Sequence, residues 1–435
     1  MNGGVSARRA RSACLVLAVA VVIAGCGSSG TILGGNDTYS ATTLTVYSDL
    51  PLLGPDGAQM TSIVDGEVLA LYDHGGHVGR LHVSLESLND YPDPTVSDPL
   101  LPNPLRNLDA RIGQSAHSAS ADLSTVAYIG DYDSAATAIS LSLNNQNDIL
   151  QISPGSPYIG FSDSNPADLT GDPGAFDAYG TPTFARLLPS DLVEARATVS
   201  WMRSLGVTRL ALLADNSNAP DDYDAVIASE VASDAAAAGI NVVVRHSGID
   251  TASLTRPGDY ARLAAAVAAE QPGAILLGGA PDGGAQALWR ELHAAMPAAL
   301  LFAPSTLATP AFLHGLAGAA SATYVTSPIL ELNQYPAAAQ QVFAQYRRMF
   351  ALAPSAYALY GYDAMNDVLL AIRKAGRKAA SRPVLLSAFF ALGRAGFRGT
   401  IGDYTINANG DSSLASFDGY RVSPSGELVL ARPLS

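Results

Sequence analysis

Cysteine is almost absent from this sequence, since a chain of 435 residues contains only Cys14 and Cys26. Both lie near the N-terminus, within or directly after an apolar run, so we expect the folded part to hold neither a free thiol nor a disulfide. Exported proteins often use disulfides, but a domain of this size buries enough apolar surface to be stable without them.

Basic residues are also scarce, with 25 Lys and Arg against 39 Asp and Glu and a formal net charge of −14. A protein that binds nucleic acid needs a basic face, so this balance argues against such a partner. The overall charge says little about the charge of a small ligand, because net charge bears on solubility more than on the charge of any one binding site.

Long apolar runs are scarce as well: the sequence contains one, of twelve residues, at 13–24. A helix that spans a bilayer needs about 20 residues, so this run indicates an export signal. Arginines precede the run and small residues stand directly before Cys26, which resembles a bacterial lipobox; an ordinary signal peptide with a chance cysteine is the alternative. We predict a lipoprotein signal peptide over 1–25, acylated (palmitoylated) Cys26, and a flexible tether over 26–41 that anchors the protein outside the cell membrane.

The remaining chain alternates short β-rich runs with helical stretches in two successive sets, which predicts parallel sheets covered by helices. The first set has predicted strands at 44–48, 81–85, 126–129 and 150–152, and predicted helices at 61–72, 112–122 and 134–145. The second set has predicted strands at 209–214, 241–245, 274–277 and 299–302, and predicted helices at 221–238, 260–270 and 283–295. Two further helices at 337–352 and 357–375 precede a β-like tail from Phe397. The fold class is therefore α/β, as two similar halves with a cleft between them.

A proline-rich segment interrupts the first set between residues 91 and 107. It contains five prolines, which disfavour both a helix interior and a central strand. We predict that the whole segment is an exposed loop and an insertion, whose role the sequence does not indicate.

Several short motifs follow one another in an order that resembles the type I periplasmic binding proteins, in particular the branched-chain amino-acid subgroup of ABC transporter substrate-binding lipoproteins. The motifs are LLGP at 52–55, HGGHVGRL at 74–81, YIG through Ser134, ISPGS at 152–156, FARLLPSD at 184–191, GYDA at 361–364, FRGTIG at 397–402 and NGD at 409–411. The resemblance implies two Rossmann-like lobes joined by a three-segment hinge that closes on a ligand. Lobe 1 would be 42–183 with 329–395, and lobe 2 would be 184–328 with 396–435.

The candidate site in lobe 1 follows two neighbouring strands. Asp133 and Ser134 open a helix after the strand at 126–129, where a serine can cap the helix and free N–H groups can hold a carboxylate. The alternative is that Ser134 only caps its own helix. In the family, the loop after the next strand offers a carbonyl and a hydroxyl to the ligand's amino and carboxylate groups, and Gly155 and Ser156 are the matching residues.

The candidate site in lobe 2 departs from the family pattern. The resemblance implies an acid after the strand at 299–302 to pair with a ligand ammonium, and Ser305 stands at that position. Asp282, Asp221 or Tyr223 would compensate from a shifted position, although acidic residues in exposed loops are more often plain solvated charges. The departure leaves the ligand open between a free amino acid and another small carboxylate or amide.

No other group of residues in the sequence indicates a metal site or a catalytic site. His74, His77 and His82 are close in sequence, but a metal site needs three or four converging ligands, and the glycines between them favour a tight turn. We predict no cofactor, no metal and no enzymatic activity, and we expect a small-molecule ligand and an ABC permease as partners. One alternative hypothesis is a sensory lipoprotein that signals to a membrane partner without import. Another is an exported enzyme, which no catalytic motif in the sequence supports.

Overall fold

The computed structural model describes residues 43–54, 56–91, 104–163, 173–215, 223–279 and 284–434. The residues from Ser40 to Ser435 form one compact unit. The predicted signal peptide and tether, including Cys26, lie outside the described residues, as does most of the proline-rich segment. The mixed α/β fold class is confirmed.

The first part of the chain contains β1 (Thr43–Leu50), α1 (Gly57–Asp73), β2 (His77–Val78), β3 (Leu81–Asn89), α2 (Pro104–Ala121), β4 (Thr125–Gly130), α3 (Ser134–Gln146), β5 (Leu150–Ser153) and β6 (Phe184–Arg186). The second contains α4 (Asp191–Ser204), β7 (Arg209–Asp215), α5 (Tyr223–Ala237), β8 (Asn241–Ile249), α6 (Asp259–Ala269), β9 (Ala274–Gly278), α7 (Ala285–Ala295), β10 (Leu300–Ala303), α8 (Pro310–Leu313) and β11 (Thr323–Ser327). The last contains α9 (Ala337–Phe350), α10 (Tyr357–Ala375), α11 (Arg382–Ala395), β12 (Phe397–Arg398), β13 (Asp403–Tyr404), β14 (Phe417–Val422) and β15 (Leu428–Leu434).

Two larger sheets organise these elements. The first has the strand order β2-β3-β1-β4-β5-β6, and the second has the order β15-β14-β11-β10-β9-β7-β8. The central strands of both sheets are parallel, and β4, β9 and β11 are buried along their whole length because helices cover both faces. We call the first sheet with its helices the first lobe, and the second sheet with its helices the second lobe.

The chain passes between the two sheets three times. It leaves the first sheet after β6, returns after β11, and reaches the second sheet again before β14. Between the second and third crossings, α9, α10 and α11 share one apolar core with β1 and β4. The carboxyl ends of the parallel strands in both sheets therefore lie next to the crossings, which is where ligands bind in open α/β sheets.

Two glycines bring α1 and α10 into backbone contact within the first lobe. A β-carbon on Gly66 would lie 1.9 Å from the carbonyl oxygen of Ala358, and one on Gly361 would lie 1.9 Å from that of Ile63. No side chain larger than hydrogen fits at such distances, so the two helices pack closely only because both residues are glycine.

The structure corrects two details of the sequence predictions. Residues 104–107 of the predicted proline-rich loop form the first turn of α2. Proline is tolerated there because the backbone N–H groups of the first turn have no partner within the helix, so the N–H that proline lacks is not missed. In addition, β6 was not predicted, and it pairs with β5 in the first sheet although the predicted boundary at residue 184 assigns it to lobe 2. By the sheet to which it belongs, β6 is part of the first lobe, while the residue bounds predicted for the two lobes stay a prediction.

Within the described ranges, none of the helices combines the length and the apolar character that a membrane span requires.

Candidate functional site

The loop after β5 is held in shape by a serine at the end of the strand. Ser153 Oγ donates to the backbone carbonyl of Asp131 at 2.6 Å. It also accepts the backbone N–H groups of Gly155 at 3.3 Å and Ser156 at 2.8 Å. Ser153 and Ser156 are fully buried. The chain can turn sharply here because one hydroxyl satisfies the buried N–H groups of the turn, and Ser156 is thereby fixed at the carboxyl end of the sheet.

Ser134 lies beside this loop. It is the first residue of α3, and its hydroxyl oxygen is 3.0 Å from that of Ser156. Both side chains are buried, so the structure brings two predicted site residues together from the ends of adjacent strands. The prediction that Ser134 caps α3 is wrong, because the exposed Asp133 holds the N-cap position and the Ser134 hydroxyl is bonded to Ser156 instead.

An aromatic side chain that the sequence analysis missed covers the same loop. A β-carbon on Gly155 would lie 2.2 Å from Cδ2 of Tyr132, so only glycine lets the ring pack against this backbone. The ring centroid of Tyr132 lies 6.2 Å from that of Tyr357, at the start of α10. These two half-buried rings form an aromatic wall beside the serine pair. The sequence signal for Tyr132 was its place in the motif that runs from YIG to Ser134, two residues before Ser134.

A buried arginine ties the loop to the first and third crossings. Arg186, the last residue of β6, donates to the carbonyl of Ser156 at 3.2 Å and to that of Tyr158 at 2.7 Å. Its Nε forms an ion pair with Asp411 at 3.0 Å. Burial lowers the pKa of Arg186, and Asp411 opposes that shift. The guanidinium therefore joins β6, the loop after β5 and the segment before β14.

The first turn of α4 also contacts the loop after β5 in the first lobe. The backbone N–H of Asp191 donates to the carbonyl of Pro157 at 3.0 Å, and its carboxylate accepts the N–H of Ile159 at 3.3 Å. Burial raises the pKa of Asp191 to about 8, although the charge of Arg186 acts in the opposite direction. The start of α4 is thus attached to the loop that carries Ser156.

Glu194, three residues later on α4, makes the corresponding contact with the second lobe. Its carboxylate accepts the backbone N–H of Ser305 at 2.6 Å, the hydroxyl of Ser305 at 2.7 Å and the hydroxyl of Thr326 at 2.7 Å. Ser305 follows β10 and Thr326 lies near the end of β11. One turn of α4 therefore contacts the loop after β5 in the first lobe and the ends of β10 and β11 in the second.

The ends of β1, β3 and β4 are rich in acids. The hydroxyl of Tyr128 lies 3.1 Å from a carboxyl oxygen of Asp49 and 3.1 Å from one of Asp131. A hydroxyl has one hydrogen, so both contacts are satisfied only when one of the two carboxyls carries a proton. Burial raises the pKa of Asp49 to about 6, and it raises that of Asp90 to about 9 with the help of Asp131, Asp49 and Asp133.

The other candidate residues lie elsewhere or are not described. Tyr223 begins α5, but its side chain lies outside the described part, as do Asp282 and Cys26 entirely. Within the described ranges, no group of His, Cys, Asp and Glu is arranged to hold a metal ion. The hydroxyl of Tyr360 donates to the carbonyl of Pro328 at the second crossing at 3.1 Å, and that of Tyr362 donates to Asp73 on α1 at 3.0 Å.

The sequence of residues 111–417 matches the family described as periplasmic binding protein. The chain belongs to that family. Its mixed α/β fold with two lobes is the type I architecture, which confirms the resemblance seen in the motifs. No curated protein matches the chain.

Solved structures of other family members have the same fold. The leucine-binding protein LivK from Thermotoga maritima is 17% identical, with a TM-score of 0.69 over 90% of this chain and 99% of that one. An ABC transporter substrate-binding protein from Desulfitobacterium hafniense, in complex with Leu, is 18% identical, with a TM-score of 0.67 over 89% and 100%. A solute-binding protein from R. palustris, in complex with 4-hydroxybenzoate, is 12% identical, with a TM-score of 0.67 over 89% and 95%. At such identities the similarity shows the fold alone.

Proposed function

We propose that this protein is an extracytoplasmic solute-binding lipoprotein that delivers a small polar carboxylate, an amino acid or a related compound, to an ABC importer. The observation that carries the proposal is the hydroxyl pair of Ser134 and Ser156 at the start of α3. Two hydroxyls that share one hydrogen bond keep one hydrogen for a ligand, and the first N–H groups of a helix lack partners within it. Together these donors suit a carboxylate.

The family supports the transport role. The related structures with leucine and with 4-hydroxybenzoate contain ligands that share a carboxylate and little else. The lipid anchor rests on the sequence before Cys26, and the expectation of binding without turnover rests on the membership in a solute-binding family.

The binding step is tested by thermal shift and calorimetry on the purified full-length chain with amino acids, amides, aromatic carboxylates, sugars and inorganic anions. A ligand at a hundredfold excess over its Kd stabilises the folded state by about 2.7 kcal/mol, which is a readily measured shift. The proposal is contradicted if sugars or inorganic anions alone stabilise the protein.

The site is tested with the double variant Ser134→Ala and Ser156→Ala. We expect the Kd for the tightest carboxylate to rise about 10- to 100-fold, because hydrogen bonds to a charged group are lost. Removing both partners leaves no buried hydroxyl unpaired, so stability should change little. Ser142→Ala is the matched control, since Ser142 is exposed on the same helix and its hydroxyl donates only to the carbonyl of Ala138.

The transport step is tested by uptake of the labelled ligand in cells that lack the protein. Loss of uptake, restored by the intact chain but not by Cys26→Ala, would support an anchored importer component. Unchanged uptake together with ligand binding would favour the sensory alternative.

A further inference from the structure

Basic residues gather at the end of the first lobe that lies opposite to the candidate site. Four exposed ones lie in the last turn of α10 and in its link to α11, namely Arg373, Lys374, Arg377 and Lys378. The sequence has no Asp or Glu between Asp367 and Asp403, and its only two lysines are in this group. In a protein with a net charge of −14, this concentration of positive charge is a local exception.

Two arginines fix this segment across the amino ends of the strands in the first sheet. At one end, Nη2 of Arg373 lies 3.4 Å from Nδ1 of His74, in the turn between α1 and β2. At the other end, the half-buried Arg382 donates to the carbonyl of Thr125 at 2.9 Å and to that of Asp122 at 2.8 Å, at the start of β4. Because α10 begins at the aromatic wall of the site and has 19 residues, its basic end lies about 28 Å away from that wall.

The chain enters the fold at this same end. β1 begins at Thr43, which pairs with His82 of β3, and the turn between β2 and β3 adds the exposed Arg80. Sixteen residues, 27–42, separate Thr43 from Cys26, and a flexible chain of that length spans about 20–25 Å. A lipid on Cys26 would therefore keep this end of the lobe close to the membrane. We call Arg80 together with the four basic residues above the basic patch.

Two exposed apolar side chains lie at the same end as the basic patch. Leu123, directly before β4, is 73% exposed, and Tyr72, in the last turn of α1, is 68% exposed. Among the described residues, no other large apolar side chain is as exposed as these two. Tyrosine is enriched at membrane–water interfaces, because its ring enters the apolar boundary while its hydroxyl stays hydrated.

The acids near the basic patch do not cancel its charge. Asp73 is exposed, whereas Asp122 and Asp148 are half-buried and their charges act on the half-buried Arg382. Among the described residues at this end, five exposed cations therefore face one exposed acid. The dipole of α10 accounts for the two basic residues in its last turn, but not for the other three.

We propose that the basic patch, with Tyr72 and Leu123, binds the anionic phospholipid surface of the membrane and so orients the first lobe with the candidate site facing away from the bilayer. This inference rests on the lipoprotein part of the proposed function, because the acyl chain attaches the protein and the patch orients it. One basic residue near an anionic surface raises the binding constant about fivefold, so five together hold the patch in contact.

Amine acetylation tests this contact directly, because both lysines of the chain, Lys374 and Lys378, lie in the patch. The purified full-length protein is acetylated on vesicles of equal parts phosphatidylglycerol and phosphatidylcholine, and on vesicles of phosphatidylcholine alone. Arg290→Lys supplies a reference amine, since position 290 is exposed on α7 in the second lobe. Peptide mass spectrometry should show that the anionic vesicles lower the reactivity of the two lysines about fivefold or more and leave the reference amine unchanged.

The double variant Arg80→Gln and Arg377→Gln removes two charges and keeps both lysines as reporters. We expect its affinity for the anionic vesicles, measured by co-sedimentation, to fall about 10- to 30-fold. Arg256→Gln with Arg290→Gln is the matched control, because it removes two exposed positive charges from the second lobe. Residues 1–42 are the same in both variants, so their contribution cancels in the comparison. Salt at about 1 M shortens the Debye length to about 3 Å and should abolish the difference.

Three results would overturn the inference. Equal lysine reactivity on the two kinds of vesicle would exclude an anionic surface as the partner. Equal protection of the reference amine would show that the lobe has no preferred orientation. Protection by inorganic phosphate without vesicles would indicate a site for single anions. These results leave solute binding untouched, whereas failure to bind any carboxylate contradicts the proposed function and leaves the lysine reactivities to decide the inference.

Discussion

Replacing Arg186 with methionine tests whether a buried ion pair holds the binding loop in place. Methionine keeps much of the side-chain volume and removes the charge. The arginine donates four hydrogen bonds, which go to Asp411, Ser162 and the carbonyls of Ser156 and Tyr158. The variant therefore leaves the Asp411 carboxylate without its cation, although the hydroxyl of Ser162 still donates to it, and it removes the arginine donor from three further oxygens.

The expected cost follows from burial. Removing one partner of a buried ion pair destabilises a protein by about 3–5 kcal/mol, because the other charge stays behind without compensation. Arg186 is fully buried, but the side chain of Asp411 is 21% exposed, so water can solvate the carboxylate in part. We therefore expect a loss near the lower end, about 3 kcal/mol of the free energy of unfolding.

Urea unfolding of the purified full-length chain measures this loss, provided that the slope of the transition is unchanged. Arg262→Met is the matched control, because Arg262 pairs with Asp259 on the surface and is 64% exposed. An exposed pair contributes about 0–1 kcal/mol. Adding Asp411→Asn to Arg186→Met should restore part of the stability, since the uncompensated charge is then removed as well.

The reasoning is refuted if Arg186→Met and Arg262→Met lower the free energy of unfolding by the same amount. It is also refuted if the double variant at positions 186 and 411 is less stable than Arg186→Met alone, because the orphaned carboxylate would then not be the source of the loss.

Two further predictions concern the same end of the first sheet. Burial raises the pKa of Asp90 to about 9, so the folded chain holds a proton that the unfolded chain releases, and stability should fall as pH rises from about 4 to about 9. Urea midpoints across that range should show the decline, and Asp90→Asn should flatten it; a midpoint that rises with pH would contradict the assignment. Gly155→Ala should cost about 1–3 kcal/mol and weaken carboxylate binding, because its β-carbon would meet the Tyr132 ring at 2.2 Å. Gly318→Ala, where nothing lies within 4 Å, is the control, and equal effects on urea midpoints would exclude the steric explanation.

The periodicity of the sequence predicted the elements that position the site. The predicted strand at 126–129 is β4, the predicted helix at 134–145 is α3, and the motif ending in Ser156 lies at the end of β5. These elements are local, since their apolar patterns and turn residues are close in sequence. The proximity of Ser134 and Ser156 also follows from a simple rule, because adjacent parallel strands end at the same edge of a sheet.

The contacts that complete the site could not be predicted in this way. Glu194 meets Ser305 across 111 residues, and Arg186 meets Asp411 across 225. Such contacts depend on how three crossings fold back on one another, and no spacing in the chain encodes them directly. Sequence comparison placed a serine where a negative charge was expected, whereas the structure shows a carboxylate bound to that serine from another helix.

The two lobes offer complementary hydrogen-bonding groups, and this difference has a consequence for the hinge. The pair of Ser134 and Ser156 keeps a hydrogen to donate, whereas Ser305 has given its hydrogen to Glu194 and can only accept. A ligand that contacted only the first lobe would bind an open and a closed arrangement almost equally. A ligand shifts a conformational equilibrium only by the difference between its affinities for the two states. A ligand therefore couples binding to closure only if it also contacts the second lobe.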